Sequence, residues 1–296
     1  MAKQSIAQIV TDKILEAMGK GEIPWHKAWN AMTGAPMRFV GKPYRGINVW
    51  LLLATGLAGP WLTFKECQKR GGHVKKGEKG TKIVFFRMIE NKKEAGKFFP
   101  LMSYSTVFSL CQTEGVKLPA WYTKAQAAQA DGKVHEPIEA AEAIWDGYKG
   151  KPVVNHGGGR AFYRPLTDDI GMPPKESFDS PQHYYSTLFH EGVHSTGSKG
   201  RLGRLDNTAL APFGSEDYSK EELVAELGSA MLAAQAGIDC AEVFNNSVAY
   251  LQNWTKRLKD DPNLILQASS QAQKAVDYIL GTEFVKDEAS EASDAE

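Results

Sequence analysis

Apolar and polar positions alternate at helical spacing from the start of the chain. Ile6, Ile9, Val10, Ile14 and Ala17 fall on one side of a helix over 4–19, Lys13 among them, with Leu15 and Met18 nearby. Ile23-Pro24-Trp25-His26-Lys27-Ala28-Trp29 reads as a loop or extended piece. Tyr44-Arg45-Gly46-Ile47-Asn48 leads into a second helix, 49–54, closed by Gly56. Trp61-Leu62-Thr63 is extended, Thr63 can cap a short helix through Lys69, and Gly71-Gly72 ends it. The pattern then turns to β: a turn over 73–80, a strand over 81–87, a charged hairpin loop over 90–97 and a returning strand over 98–108.

The second half is mainly helical. The spacing predicts helices over 138–148, 182–195, 219–236, 246–259 and 262–280, with short strands over 152–156 and 160–165 around Gly157-Gly158-Gly159. That triple glycine is no phosphate-binding loop, because no Gly-Lys-Ser/Thr closes it. The expected fold class is therefore α+β in two domains: a small α+β domain with an antiparallel sheet over 1–124 and a mainly helical one over 137–286. A linker over 125–136, begun by an Ala/Gln run, joins them, and residues 287–296 form an acidic tail, expected to be disordered.

Composition changes this picture in one respect. The formal charge is zero, with 35 Lys+Arg against 35 Asp+Glu, but the two signs are segregated. Residues 1–124 hold 20 cations and 8 anions, a net of +12; residues 125–296 hold 15 and 27, a net of −12. Such asymmetry suggests a nucleic-acid-binding part joined to a part with other work. In the basic half, cations alternate with aromatics: Trp25, Lys27 and Trp29; Lys42, Tyr44, Arg45 and Trp50; Trp61, Phe64 and Lys65. Lys75, Lys76, Lys79 and Lys82 cluster at the turn. Lysines neutralise phosphates and flat rings stack on unpaired bases, so the expected partner is single-stranded DNA, with Lys27, Tyr44, Arg45, Trp50, Lys75, Lys76, Lys79 and Lys82 as contacts; most of the rings are expected in the core, with two or three facing the ligand. No sequence-reading motif is evident. No stretch approaches twenty apolar residues, so no membrane partner is expected. The N-terminus lacks a signal-peptide core, and three dispersed cysteines, Cys67, Cys111 and Cys240, suit a reducing, cytoplasmic setting.

The chemistry concentrates in His190-Glu191-Gly192-Val193-His194. Chance alone predicts roughly 0.01 H-E-x-x-H matches in such a chain. Two histidines four apart on a helix point the same way and can share one Zn²⁺. Glu191 is then placed as the catalytic base that holds and deprotonates a water. Ser180-Pro181 marks the helix start and Gly197 a stop. A third ligand is expected from the helix after Ser219, where Ser219 and Glu222 read as a capping box. Glu222 and Glu226 lie one turn apart on one face; one can bind metal while the other accepts from a ligand histidine's remaining N–H.

Together these residues resemble plasmid antirestriction proteins of the ArdC type. The likeness rests on Ile23-Pro24-Trp25, Tyr44-Arg45-Gly46-Ile47-Asn48, 63–68, Val74-Lys75-Lys76-Gly77-Glu78-Lys79-Gly80, Arg160-Ala161-Phe162-Tyr163, 188–197 and 220–227. It implies an N-terminal single-stranded-DNA-binding domain, a C-terminal zincin-like metallopeptidase domain, and protection of incoming conjugative DNA from host restriction. By likeness to zincins, His190, His194 and a carboxylate would bind Zn²⁺, or another divalent ion such as Mn²⁺. Glu222 would be the ligand, Glu226 the supporting acceptor and Glu191 the general base; the substrate is left open, with a host protein as one candidate. The alternative is a steric coat on single strands with a structural or silent metal. One departure is Gly192, where relatives often carry a larger apolar residue. Glycine inside a helix costs about 1 kcal/mol relative to alanine, so close helix packing is expected there.

Overall fold

The structure, a computed structural model, describes residues 4–21, 23–26, 35–90, 96–130, 137–205, 216–243 and 248–282. The expectations for Lys27, Trp29, most of the 90–97 loop, the end of the linker and the acidic tail lie outside them.

Helix α1 (Ile6–Met18) is capped by Ser5, whose hydroxyl accepts from the Gln8 N–H. It buries Val10, Ile14, Ala17 and Met18 while Lys13 stays exposed. A single 3₁₀ turn, Pro24–His26, follows and is wholly buried. Helix α2 (Ile47–Leu53) starts two residues before its sequence signal. Strand β1 (Trp61–Thr63) runs into α3 (Phe64–Lys69), and the Thr63 hydroxyl caps it as the sequence predicts. After β2 (His73–Val74) come the two long strands, β3 (Thr81–Glu90) and β4 (Phe98–Ser109). They pair antiparallel over ten rungs, and β1 adds on the far side of β4 to give the order β1-β4-β3. The short β5 (Thr113–Glu114) pairs with β2.

Helix α4 (Ala120–Ala130) covers the Ala/Gln run that the sequence reading gave to a linker. Alanine and glutamine are good helix formers. Trp121 anchors this helix by donating from Nε1 to the Phe39 carbonyl at 3.0 Å.

In the second half, α5 (Pro137–Gly147) precedes β6 (Val153–His156), β7 (Phe162–Arg164) and β8 (Asp169–Met172). The order is β6-β8-β7, with β8 parallel to β6 and antiparallel to β7. Strand β8 gave no usable sequence signal: it is four residues long, and Asp169 and Gly171, poor strand formers, interrupt Ile170 and Met172, although all four are buried. Helix α6 (Pro181–Ser195) has Ser180 as N-cap and Pro181 at its first position, as predicted. Helix α7 (Glu216–Ala236) corrects the sequence reading: it begins three residues before Ser219. Ser219 therefore lies inside the helix, its hydroxyl accepting from Arg257, and Glu222 is not a capping residue. The short α8 (Cys240–Val243), then α9 (Val248–Asp260) and α10 (Leu264–Leu280), complete the fold.

One hydrophobic core runs from Val10 and Trp25 through Trp50 and Phe189 to Ala272 and Ile279, so the halves share an interior. The Tyr44–Asn48 motif forms the joint between them. Arg45 pairs with Asp277 and the Gly46 N–H donates to Gln273 Oε1 at 3.0 Å, while Asn48 ties α2 to β3 within the first half through two 2.7 Å hydrogen bonds with the Val84 backbone. Thr11 adds a 2.7 Å hydrogen bond to the Pro262 carbonyl.

Two glycines set the helix spacing near the histidine pair. A methyl group at Gly192 would lie 2.9 Å from the Trp145 ring, and one at Gly228 would lie 2.8 Å from Val193. The close packing expected at Gly192 is what the structure contains. Gly228→Leu is expected to cost about 1–3 kcal/mol by forcing α7 away from α6. Urea denaturation measures this; a variant as stable as the parent would refute it.

Candidate metal centre

His190 and His194 stand one turn apart on α6, and α7 crosses their face. Glu222 projects toward both. Its Oε2 is 3.6 Å from His190 Nε2 and its Oε1 is 3.6 Å from His194 Nε2, while the two Nε2 atoms are 3.2 Å apart. Among the described residues, these three form the group of donors that could hold a metal ion, all within 4.8 Å of one another. The spacing can be tested against an ion's needs. Two nitrogens about 2.0–2.1 Å from one Zn²⁺ at a tetrahedral angle lie about 3.3 Å apart. The two nitrogens are therefore spaced for a small divalent cation, with the Glu222 carboxylate within reach of it. The side chains are 21% (His190), 13% (His194) and 29% (Glu222) exposed, so the cluster is sheltered yet reachable.

The surroundings fix these donors. His194 Nδ1 lies 3.1 Å from Glu221 Oε1, leaving Nε2 to face the cluster. Glu221 is in turn gripped by Arg204, with Nε to Oε2 and Nη2 to Oε1 both at 2.9 Å. Arg204 also donates to Thr196 Oγ1 at 2.6 Å and to the Val193 carbonyl. Burial alone would raise the Glu221 pKa, but the His194 hydrogen bond and the Arg204 charge hold it below the usual carboxylate range. Burial likewise opposes protonation of His190. The Glu222 hydrogen bond and the charges of Glu191, Glu226 and Glu222 outweigh it and push His190 up to about 9.

Glu226 is not the residue that holds His194's second nitrogen. It faces His26, whose Nε2 is 3.6 Å away, and His26 stacks on Tyr250 with centroids 5.3 Å apart. Sequence reasoning missed Glu221, Arg204, His26 and Tyr250. Glu221 had a usable signal, since a third acid adjoins the Glu222/Glu226 pair. Arg204 had none, because the loop after α6 carries it back. Arg201 performs a similar task nearby, donating twice to Asp168 at 2.8 Å and once to the Ser195 carbonyl. Glu191 is buried beside His190, and His183, on the same face, is tied to Ser180 Oγ at 2.8 Å.

The nucleic-acid contacts read from sequence fare differently. Trp50 and Tyr44 are buried, as are Trp25 and Trp61, so none can stack on a base. Large rings drive core formation, as expected for most of them; Tyr44 and Trp50, named as contacts, fall in the core with the rest. Arg45 is engaged with Asp277. Lys75, Lys76, Lys79 and Lys82 are exposed on or beside the hairpin, and Lys75 Nζ also reaches the Cys111 carbonyl at 2.9 Å.

A helix bearing H-E-x-x-H, crossed by a helix that supplies a carboxylate and set behind a basic α+β half, defines a zincin-like metallopeptidase domain joined to a second, N-terminal domain. Residues 139–271 match the family model of zincin-like metallopeptidases, and residues 4–108 match that of the N-terminal domain of anti-restriction factor ArdC. The chain belongs to the ArdC antirestriction family. The crystal structure of the antirestriction ArdC protein from plasmid R388, metal-free, superposes with a TM-score of 0.73 at 33% identity, covering 95% of this chain and all of that one. Its Mn(II)-bound form gives 0.72 at 35% identity, covering 94% and 98%. The uncharacterized protein y4eC of Sinorhizobium fredii is 31% identical over 93% of this chain and 91% of its own length. DNA primase TraC of Escherichia coli is 34% identical over 95% of this chain, which spans only 27% of that longer protein. Among the described residues, no helix is long and apolar enough to cross a membrane.

Proposed function

We propose that the chain protects incoming conjugative plasmid DNA from host restriction by binding it single-stranded and presenting a metal-dependent peptidase site to a host protein. The convergence of His190, His194 and Glu222 beside Glu191 carries this reading. A divalent ion, Zn²⁺ or the Mn²⁺ found in the R388 relative, would supply Lewis acidity toward a peptide carbonyl and acidify a water. His190 and His194 would hold that ion through Nε2 and Glu222 through its carboxylate. Glu221 orients His194 and fixes its tautomer. Glu191 would accept the water's proton on its carboxylate and return it to the leaving amine. The three unpaired cysteines suit a reducing cytoplasm.

Glu191→Gln separates this mechanism from a steric coat. The substitution keeps size and fold but removes the base. Plasmid transfer into restricting recipients, relative to non-restricting ones, should fall to the level seen without the protein, while metal content is unchanged. Full protection by the folded, metal-loaded variant would mean that coverage of the strand, not hydrolysis, does the work.

A further inference from the structure

The buried tryptophans leave open which rings would meet DNA, and the β3–β4 hairpin supplies a different set. We infer that one face of this hairpin is a base-stacking platform for single-stranded DNA, an inference that rests on the DNA-binding reading above. Phe86, Phe98 and Tyr104 are each about half exposed. The register pairs Val84 with Tyr104, Phe86 with Met102 and Glu90 with Phe98, which puts the three rings on one face of the ribbon. Successive rungs on that face are about 7 Å apart, so a splayed strand meets the rings in sequence. Exposed aromatics in such number on one ribbon need an occupant, since burial is what normally stabilises them.

Charge identifies the occupant. Lys82 lies on the same face with its Nζ 4.5 Å from the Tyr104 centroid, where it can meet a phosphate beside a stacked base. Lys75, Lys76 and Lys79 are exposed at the turn that leads into β3, and Lys97 at the start of β4. The one carboxylate on the face, Glu90, accepts from the Gly96 N–H at 2.8 Å. At its inner end the face opens into a groove between α1 and β4 lined by Gln4, Ile6, Ile9, Met102, Ser103 and Tyr104. A symmetric hairpin-to-hairpin contact with a second copy of the chain is disfavoured, because it would set one +12 half against another.

Binding of a fluorescent oligo-dT probe to the full chain, at one fixed salt concentration, tests this. Phe86→Ala and Tyr104→Ala should each weaken binding about fivefold to a hundredfold. Phe86→Trp should bind like the parent and Phe86→Leu like the alanine variant, since leucine keeps apolar area but not the flat ring. Leu166→Ala, at an exposed residue on the other half, should change nothing. If the parent binds and all ring variants bind equally well, the platform is wrong while DNA binding stands. A parent with no affinity for the probe at low salt overturns both. Ring variants that keep DNA affinity but turn a dimer into a monomer in sedimentation would make the face a self-contact, and would also overturn the proposal.

Discussion

Glu222→Ala should weaken divalent-metal binding by more than about a hundredfold, because even outer hydrogen-bond partners of a ligand are worth about 10–100-fold. Glu222 is the one anion among the three donors, and without it a dication would face two imidazoles alone. The pH dependence gives the test a second readout. In the metal-free chain His190 is raised to about 9, so at neutral pH a proton must leave before the ion can bind. The folded-state value lies above the ordinary histidine range. Parent affinity should therefore fall as pH drops below about 9, about tenfold per unit for each proton displaced. Glu222 is a main cause of that rise, so its removal should lower both the affinity and the number of protons released. Calorimetric titration in buffers of different ionisation enthalpy measures both. At a metal concentration a hundredfold above its Kd the parent should gain about 2.7 kcal/mol of stability, and the variant almost none. Equal affinity in both proteins would remove Glu222 from the site.

The second large effect is expected at Arg204, which touches no donor of the cluster. Arg204→Ala strands the buried Glu221 carboxylate with only His194 beside it. Breaking a buried pair in this way costs about 3–5 kcal/mol. Metal affinity should drop about 10–100-fold as His194 loses its support. Arg204→Lys should rescue little, because an ammonium cannot span both carboxylate oxygens while also reaching Thr196. Urea unfolding of the metal-free proteins decides the matter; a loss below about 1 kcal/mol with unchanged metal affinity would refute the relay.

These two residues mark the limit of what the sequence discloses. Helix α6 was legible almost to the residue, because its start, its stop and its histidine spacing are all local chemistry. The start of α7 was misplaced, since Ser219-x-x-Glu222 carries the pattern of a cap yet lies where the helix is already running. Strand β8 was invisible because it spans four residues and includes Asp169 and Gly171, which read as loop. Trp50 was assigned to DNA although it is core, because ring type and neighbouring charge say nothing about which way a side chain faces. Phe86 and Phe98 read as ordinary strand residues, and only the register shows them on an open face. Arg204 depends on a loop folding back eleven residues to Val193, and no periodicity records that.

The joint built by Arg45, Gly46 and Thr11 has a consequence for inheritance. An interior held in common cannot be divided without leaving α10 and α2 each with a bare apolar flank. Recombination that captured one half alone would deliver a chain unable to close on itself. The long primase TraC aligns along nearly the whole of this unit rather than along one part of it. Such a module is expected to pass between genomes as a single cassette, with the basic half and the histidine-bearing half transmitted together.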